Sequence, residues 1–283
     1  MPRIDENTSK AIVHVYPSLG SAQSDREEGG TGFVMAIPLK DIGNSVLDHL
    51  YVVTNRHLVL GHEKPTVVMR GLDNRLIFIE IEQNSWFRHP DGEDDLAVAP
   101  LPGLDSTPYD IAAFPISHCI RADQLVGLNV GIGVDVYYVG RFKADRQAPS
   151  ITTVRFGNIS AMPVAVRHPR FKRDVESYLI ETRSRAGFSG SPIVANLRGP
   201  VVERGHPRSS IHLGSDAFLL GVSWGHINEW QEARIKGADA ELAVQLNVGM
   251  LCVCPAWRVI DILNRPELVA RREADRKAWL AKS

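Results

Sequence analysis

Residues 186–194, AGFSGSPIV, set two glycines and two serines in front of an apolar run. Taken alone the segment reads as an ordinary turn, because glycine reaches positive φ and proline fixes φ in any tight connection. To present Ser189 as a nucleophile, the chain must also supply a base, usually histidine, and a carboxylate that orients the base. LYVVTNRHLVLGH places His57 just after an apolar run, at a strand end where a side chain can emerge into a cleft. HPDGEDDLAVAPL places two adjacent acids, Asp94 and Asp95, before another apolar run. The register of DLAV favours Asp95, which directly precedes the run, and Asp94 is its rival. The chain order His57, Asp95, Ser189 is one of the few known solutions to this geometry.

These residues need a rigid frame. Short apolar or alternating runs recur between turn signals: AIVHVYP, GFVMAIP, LYVVTN, TVVMR, LIFIEIE, DLAVAPL, VDVYYVG, SYLIET, SPIVAN, AFLLGVSW and VGMLCVCP. Strands rich in Val, Ile and Tyr, separated by Gly, Pro, Asp or Asn, predict an all-β sandwich or barrel architecture. Helical periodicity is nearly absent before residue 256. The stretch WQEARIKGADAELAV (230–244) has room for a short helix, interrupted by Gly237. Trp257, Ile260 and Leu263 then recur at helical spacing, so Pro255 opens a terminal helix. After Pro266 a charged helix continues, with an apolar edge from Leu268, Val269, Trp279 and Leu280. The proline-rich segment 100–124 is the natural boundary between two β units. The expected division is 1–115 carrying His57 and Asp95, 116–255 carrying Ser189, and a helical segment 256–283. The loop 198–210, RGPVVERGHPRSS, reads as mobile and exposed.

With 283 residues, of which 44% are hydrophobic, the chain can bury a sizeable core. Lys and Arg number 32 against 33 for Asp and Glu, so a formal net charge of -1 gives no global field for nucleic acid or an acidic membrane. The start, MPRIDENTSKAIVHV, lacks the pattern of a signal peptide, and no run approaches the roughly 18 apolar residues of a membrane span. Cys119, Cys252 and Cys254 are odd in number and sparse, which argues against a disulfide framework and for a reducing, cytoplasmic setting. Zinc is not expected, because His57 and His62 do not form HExxH and Cys252-Val-Cys254 has no second pair; buried cysteines are the better account. The run GLNVGIG (127–133) has no following helix and no P-loop lysine, and reads as turns; no cofactor is expected.

GGTGFVMAI, VVTNRHLV, DDLAVAPL, TVRFGNISA, SYLIETRSRAGFSGSPIV and GVSWG follow one another from residue 29 to 225, with NVGMLCVCPAWRVIDIL after them. On these stretches the chain resembles a trypsin-like serine peptidase of the chymotrypsin double β-barrel fold, akin to bacterial cytosolic and HtrA-type members. The resemblance implies that Ser189 attacks the scissile carbonyl, that His57 takes its proton, and that Asp95 holds the imidazole. It implies an oxyanion hole from the N–H groups of Gly187 and Ser189. It implies substrate binding along Ser223, Trp224 and Gly225, where an extended peptide pairs with a strand edge.

The chain departs from the family in three places. Digestive members carry an aspartate before the nucleophile that receives a new N-terminus; here it is Phe188, so activation by that ion pair is not expected. Six residues before the nucleophile, trypsin has an aspartate on the pocket floor; here it is Arg183. Lining the pocket, Arg183 would favour an acidic or polar P1 side chain; the alternative is that it turns outward to solvent. The length leaves no room for the PDZ domain of HtrA proteins, so regulation is expected from loops, oligomerisation or a separate protein partner. Two functions follow: a serine endopeptidase of narrow or partner-gated specificity acting on protein or peptide substrates, or a trypsin-fold peptide-binding or scaffold protein that is latent or non-catalytic.

Overall fold

Branched and aromatic side chains pack well on a pleated surface, and the runs that carry them form two sheets. The computed structural model describes residues 4–26, 28–38, 48–101, 109–143, 149–182, 187–197, 217–234 and 241–281. Of the side chains, those of 217, 230–234, 241–245 and 279 are not described. The first sheet holds β1 (Ile12–Tyr16), β2 (Gly30–Pro38), β3 (Asp48–Thr54), β4 (Thr66–Arg70), β5 (Leu76–Glu80) and β6 (Ala97–Pro100) in the order β5-β4-β1-β2-β3-β6. A two-residue strand, β7 (Phe114–Pro115), pairs in parallel with β2. The second sheet holds β8 (Asp135–Phe142), β9 (Ile151–Arg167), β10 (Asp174–Glu181), β11 (Pro192–Asn196), β12 (Ala217–Arg234) and β13 (Glu241–Pro255), closed as β10-β13-β12-β11-β8-β9. This is the all-β double barrel expected from the strand pattern and the resemblance.

The pleat decides which core each side chain enters, since successive residues point to opposite faces. In β2, Val34 and Ala36 pack inside the first barrel, while Phe33 and Met35 face the second. β3 repeats the division, with Val52 inward and Tyr51 and Val53 outward. Across the boundary they meet Val139, Val194, Leu219, Val222 and Cys252 of the second barrel in one shared cluster. At about 1.5–3 kcal/mol per large apolar side chain removed from water, such a layer fixes how the two barrels sit on each other. β2 is therefore buried along most of its length and reads as a continuous apolar run.

Single-turn helices α1 (Glu6–Lys10), α2 (Leu19–Gln23) and α3 (Arg56–Val59) lie between the early strands. None is long enough to show a 3.6-residue period, so the sequence pattern does not reveal them. The terminal helices are α4 (Ala256–Leu263), capped at Pro255 as expected, and α5 (Pro266–Leu280). Val259, Ile262 and Leu263 of α4 join the shared core. Of the apolar edge expected along α5, Leu268 is buried, Val269 is half-buried and Leu280 is exposed, while the Trp279 side chain lies outside those described. Arg272 secures the helix by donating to the Tyr51 hydroxyl at 3.1 Å and the Leu263 carbonyl at 2.9 Å.

Two stretches differ from the sequence expectation. Among the described residues of 230–244 the anticipated short helix is not formed; β12 and β13 keep their antiparallel register from Asn228↔Asn247 to Arg234↔Glu241, so cross-strand pairing there overrides the local helix propensity of Glu, Ala and Arg, while 235–240 lie outside the described residues. β9 is a strand of 17 residues absent from the apolar series, because Gly157, Asn158 and Pro163 break its alternation. The loop 198–210 lies outside the described residues. No helix among the described residues is long and apolar enough to cross a membrane.

Candidate active site

β3 and β6 pair with Thr54 opposite Ala97, which sets the residues just after β3 beside those just before β6. There Asn55, fully buried, donates its side-chain amide to the Asp95 carbonyl at 2.8 Å, and Arg56 N–H donates to the same oxygen at 3.2 Å. The turn of α3 is thus built on the Asp95 backbone, and it delivers His57 to the Asp95 carboxylate. Asp95 Oδ1 accepts the His57 backbone N–H at 2.9 Å, and Oδ2 lies 2.5 Å from His57 Nδ1. An ionised carboxylate on Nδ1 requires the proton there and leaves Nε2 free to act as a base.

Asp95 is fully buried. Burial pushes its carboxyl upward, but hydrogen bonds from His168 and then from His57 overcome that push and hold it below the usual carboxylate range. The side chain of Asp94, its neighbour in the bend before β6, points the other way. Its carboxylate accepts from Arg258 Nε of α4 at 2.6 Å, while Arg258 Nη2 donates to Asp91 at 2.6 Å. His89, Asp91 and Asp94 converge within 4.8 Å of one another, and this guanidinium supplies the positive charge among them.

Ser189 stands in the turn between β10 and β11. Gly187 has φ +100° and Gly190 has φ +85°, both in the left-handed region that favours glycine. A Cβ on Gly187 would lie 2.7 Å from Arg141 O, and one on Gly190 would lie 2.0 Å from Thr31 O. Thr31 of β2, also buried, clamps this turn: its N–H donates to Ser189 O at 2.8 Å and its hydroxyl to Gly187 O at 2.7 Å. The same hydroxyl accepts Arg141 N–H at 2.8 Å. The buried Arg141 guanidinium reaches back to β1 and the loop after α2, donating to the Arg26 carbonyl at 2.6 Å and to Tyr16 and Asp25 at 3.3 Å each. Gly190 and Ser191 N–H groups are taken by Ser223 O and Phe188 O. Among the described residues no carbonyl takes the N–H of Gly187 or of Ser189.

Phe188 turns the opposite way from Ser189. It is 1% exposed, packed in the second-barrel core with Ile193 and Val253, edge-on to Tyr138 at 5.2 Å and beneath the Arg155 guanidinium at 5.4 Å. Its carbonyl accepts from Ser223 Oγ at 2.5 Å. Hydrocarbon holds the turn where digestive relatives use a carboxylate.

His57 and Ser189 face one cleft of about 470 Å³, which Gly187, Ser223 and Gly225 also line. The serine hydroxyl and His57 Nε2 are not hydrogen-bonded to each other in this structure; such bonds often tighten only with substrate bound. Trp224 lies behind the cleft: it is buried, its Nε1 donates to Ser177 Oγ at 2.9 Å, and its ring sits 4.5 Å from that of His168. Arg183 lies outside the described residues. The three cysteines are buried free thiols.

The sequence reading singles out neither of two further residues around the site. Thr31 sits in GGTGF among other small residues, and His168 comes from the turn between β9 and β10, 73 positions from the Asp95 it touches.

A profile described as the trypsin-like peptidase domain matches residues 30–202, more than half of the chain. Among solved structures, the chain is similar to the MamO protease domain from Magnetospirillum magneticum, with 13% identity, 92% of this chain and 99% of that one covered, and a TM-score of 0.50. It is similar to the Rv3671c protease of M. tuberculosis in its inactive form, with 19% identity, 93% and 96% coverage and a TM-score of 0.48. The serine endoprotease from Yersinia pestis aligns with 16% identity over 91% of this chain and 62% of that one, with a TM-score of 0.47. No curated protein sequence matches significantly.

Proposed function

We propose that this chain, which belongs to the trypsin-like peptidase domain family, is a serine endopeptidase that cleaves protein or peptide substrates through an acyl-enzyme. The observation that carries the reading is the buried Asp95 carboxylate bonded to both His57 Nδ1 and His57 N–H, with His57 facing the same cleft as Ser189. Dedicating a fully buried charge to a histidine serves peptide capture poorly, since burying a carboxylate is costly unless it is paired and hydrogen-bonded.

Each step follows from the named groups. Ser189 Oγ attacks the scissile carbonyl while His57 Nε2 takes its proton, and Asp95 stabilises the resulting imidazolium without itself becoming protonated. The carbonyl oxygen becomes an anion, and the N–H groups of Gly187 and Ser189, which no carbonyl among the described residues occupies, are the donors available to it. His57 then returns the proton to the leaving amine, and water hydrolyses the acyl-serine by the reverse sequence. β11 begins at Pro192, opposite Val222, and the Ser223 backbone pairs beyond it with Gly190 and Ser191, so Trp224 and Gly225 of β12 are the stretch that continues past the turn toward an extended substrate backbone, beside Ser223.

Labelling with a fluorophosphonate, read by intact mass, tests the reading. One adduct on the wild type, lost in both Ser189→Ala and His57→Ala, is expected. A folded wild type that takes no adduct would refute turnover and leave a peptide-binding protein.

A further inference from the structure

Asp95 has a second histidine. His168, at the start of the turn joining β9 to β10, is 3% exposed, and its Nε2 lies 3.3 Å from Asp95 Oδ2, the oxygen that also faces His57. The other ring nitrogen fixes the direction of this bond. Nδ1 of His168 accepts the backbone N–H groups of Arg170 at 3.2 Å and Phe171 at 3.3 Å. A nitrogen that accepts carries no proton, so the neutral ring has its hydrogen on Nε2, where it can be donated to Asp95. Protonating Nδ1 would set three N–H groups against one another.

The turn around this ring is tightly built. His168 N–H donates to Arg173 O at 2.7 Å, Lys172 N–H donates to His168 O at 2.9 Å, and Lys172 takes a φ of 56° to close the loop. The imidazole is stacked between Phe171, at 4.3 Å and 17°, and Trp224, at 4.5 Å and 30°. From the same turn Arg170 reaches the His57 carbonyl at 3.4 Å, and Phe171 packs under the Arg56 guanidinium at 4.8 Å. The turn belongs to the second barrel, while α3 and Asp95 belong to the first. It therefore touches the helix that carries the base and the carboxylate that orients it, from across the cleft.

We propose that His168 is a positioning residue for the reaction: a neutral N–H donor that fixes the rotamer of the Asp95 carboxylate toward His57 and makes the catalytic geometry depend on docking of the second barrel's 168–173 turn. The role rests on the peptidase reading above, and acts only through Asp95, since the ring itself is walled off from the cleft by its stacking partners.

Two substitutions separate the hydrogen bond from the packing. His168→Phe keeps an aromatic ring between Phe171 and Trp224 and removes the donor; His168→Gln removes the ring and keeps an amide N–H near the Nε2 position. Saturation kinetics of the fluorophosphonate, resolved into kinact and KI, are read beside urea unfolding. Losing a hydrogen bond to a charged group predicts a fall in kinact of about 10- to 100-fold for His168→Phe, with KI unchanged, and recovery of most of that loss in His168→Gln. A wild type that labels together with a folded His168→Phe that labels at the same rate, or with a Gln variant slower than the Phe variant, overturns the proposal alone. A wild type that does not label overturns the peptidase reading with it. Should the Phe variant fail to fold, imidazole ¹⁵N shifts of the wild type at neutral pH decide: an Nε2-protonated neutral His168 is expected, and an Nδ1-protonated ring would overturn the proposal.

Discussion

Replacing Thr31 by Val tests whether the clamp on the nucleophile turn sets the rate. The two side chains are nearly isosteric, but the substitution removes the hydroxyl that donates to Gly187 O at 2.7 Å and accepts Arg141 N–H at 2.8 Å. The Arg141 N–H is buried where water does not replace the lost bond and costs about 1–3 kcal/mol when orphaned, whereas Gly187 is part-buried and lines the cleft, so a stability loss of about 1–3 kcal/mol is expected. The Thr31 N–H bond to Ser189 O survives, so the turn loosens on the Gly187 side alone. Misplacing one oxyanion donor costs about 10²–10³ in rate, which sets the upper bound for the fall in kinact. Urea midpoints and fluorophosphonate kinetics measure the two effects separately. Thr31→Ser retains the hydroxyl and should label nearly as the wild type does. A Thr31→Val protein that labels at the wild-type rate, or a Thr31→Ser protein as slow as Thr31→Val, would refute the clamp.

The adjacent acids should separate cleanly: Asp95→Asn lowers fluorophosphonate labelling by about 10⁴-fold by fixing the wrong His57 tautomer, whereas Asp94→Asn labels normally and loses about 3 kcal/mol of stability with its bond to Arg258. Equal labelling by the two variants would overturn that division. Burial, and then the charge of Arg141, lower His14 from 6.5 to about 4. The unfolded chain takes up this proton below about pH 6.5 and the folded chain does not, so stability is complete above that pH and falls by up to about 3 kcal/mol toward pH 4. His14→Gln should flatten the fall in urea midpoint, and parallel pH curves would count against the assignment. Burial pushes the thiols of Cys119 and Cys252 up to about 12; a disulfide reagent at pH 8 should modify no cysteine in the native state and all three in urea, and a rapidly labelled native thiol would contradict this.

The sequence discloses the parts of the fold that rest on local pattern. Alternating Val, Ile and Tyr marks most strands, because burial on one side of a pleat leaves a period of two, and Pro255 marks the start of α4 because it cannot continue a strand ladder. β9 escapes notice because its ladder carries Gly, Asn and Pro. The pairing of β12 with β13 through residue 234 is equally hidden, since a long hairpin borrows stability from its partner strand rather than from its own composition. At the site, His57, Asp95 and Ser189 are legible in their flanking runs, and the choice of Asp95 over Asp94 follows from which acid meets the strand. The roles of His168 and Thr31 are not legible, because each acts through a contact with residues far away in the chain: RHPRF carries no motif, and GGTGF belongs to a stretch that carries the resemblance without marking Thr31.

The burial of Phe188 alters when the nucleophile turn is set. A benzyl group in the second-barrel core carries no charge, so no proton can release it at any pH, and no chain end has to be cut free to seat it. The turn is held by the same packing that closes the second barrel rather than by a charge. On the peptidase reading proposed above, neither acid nor a cut chain end is then the lever expected to switch this turn.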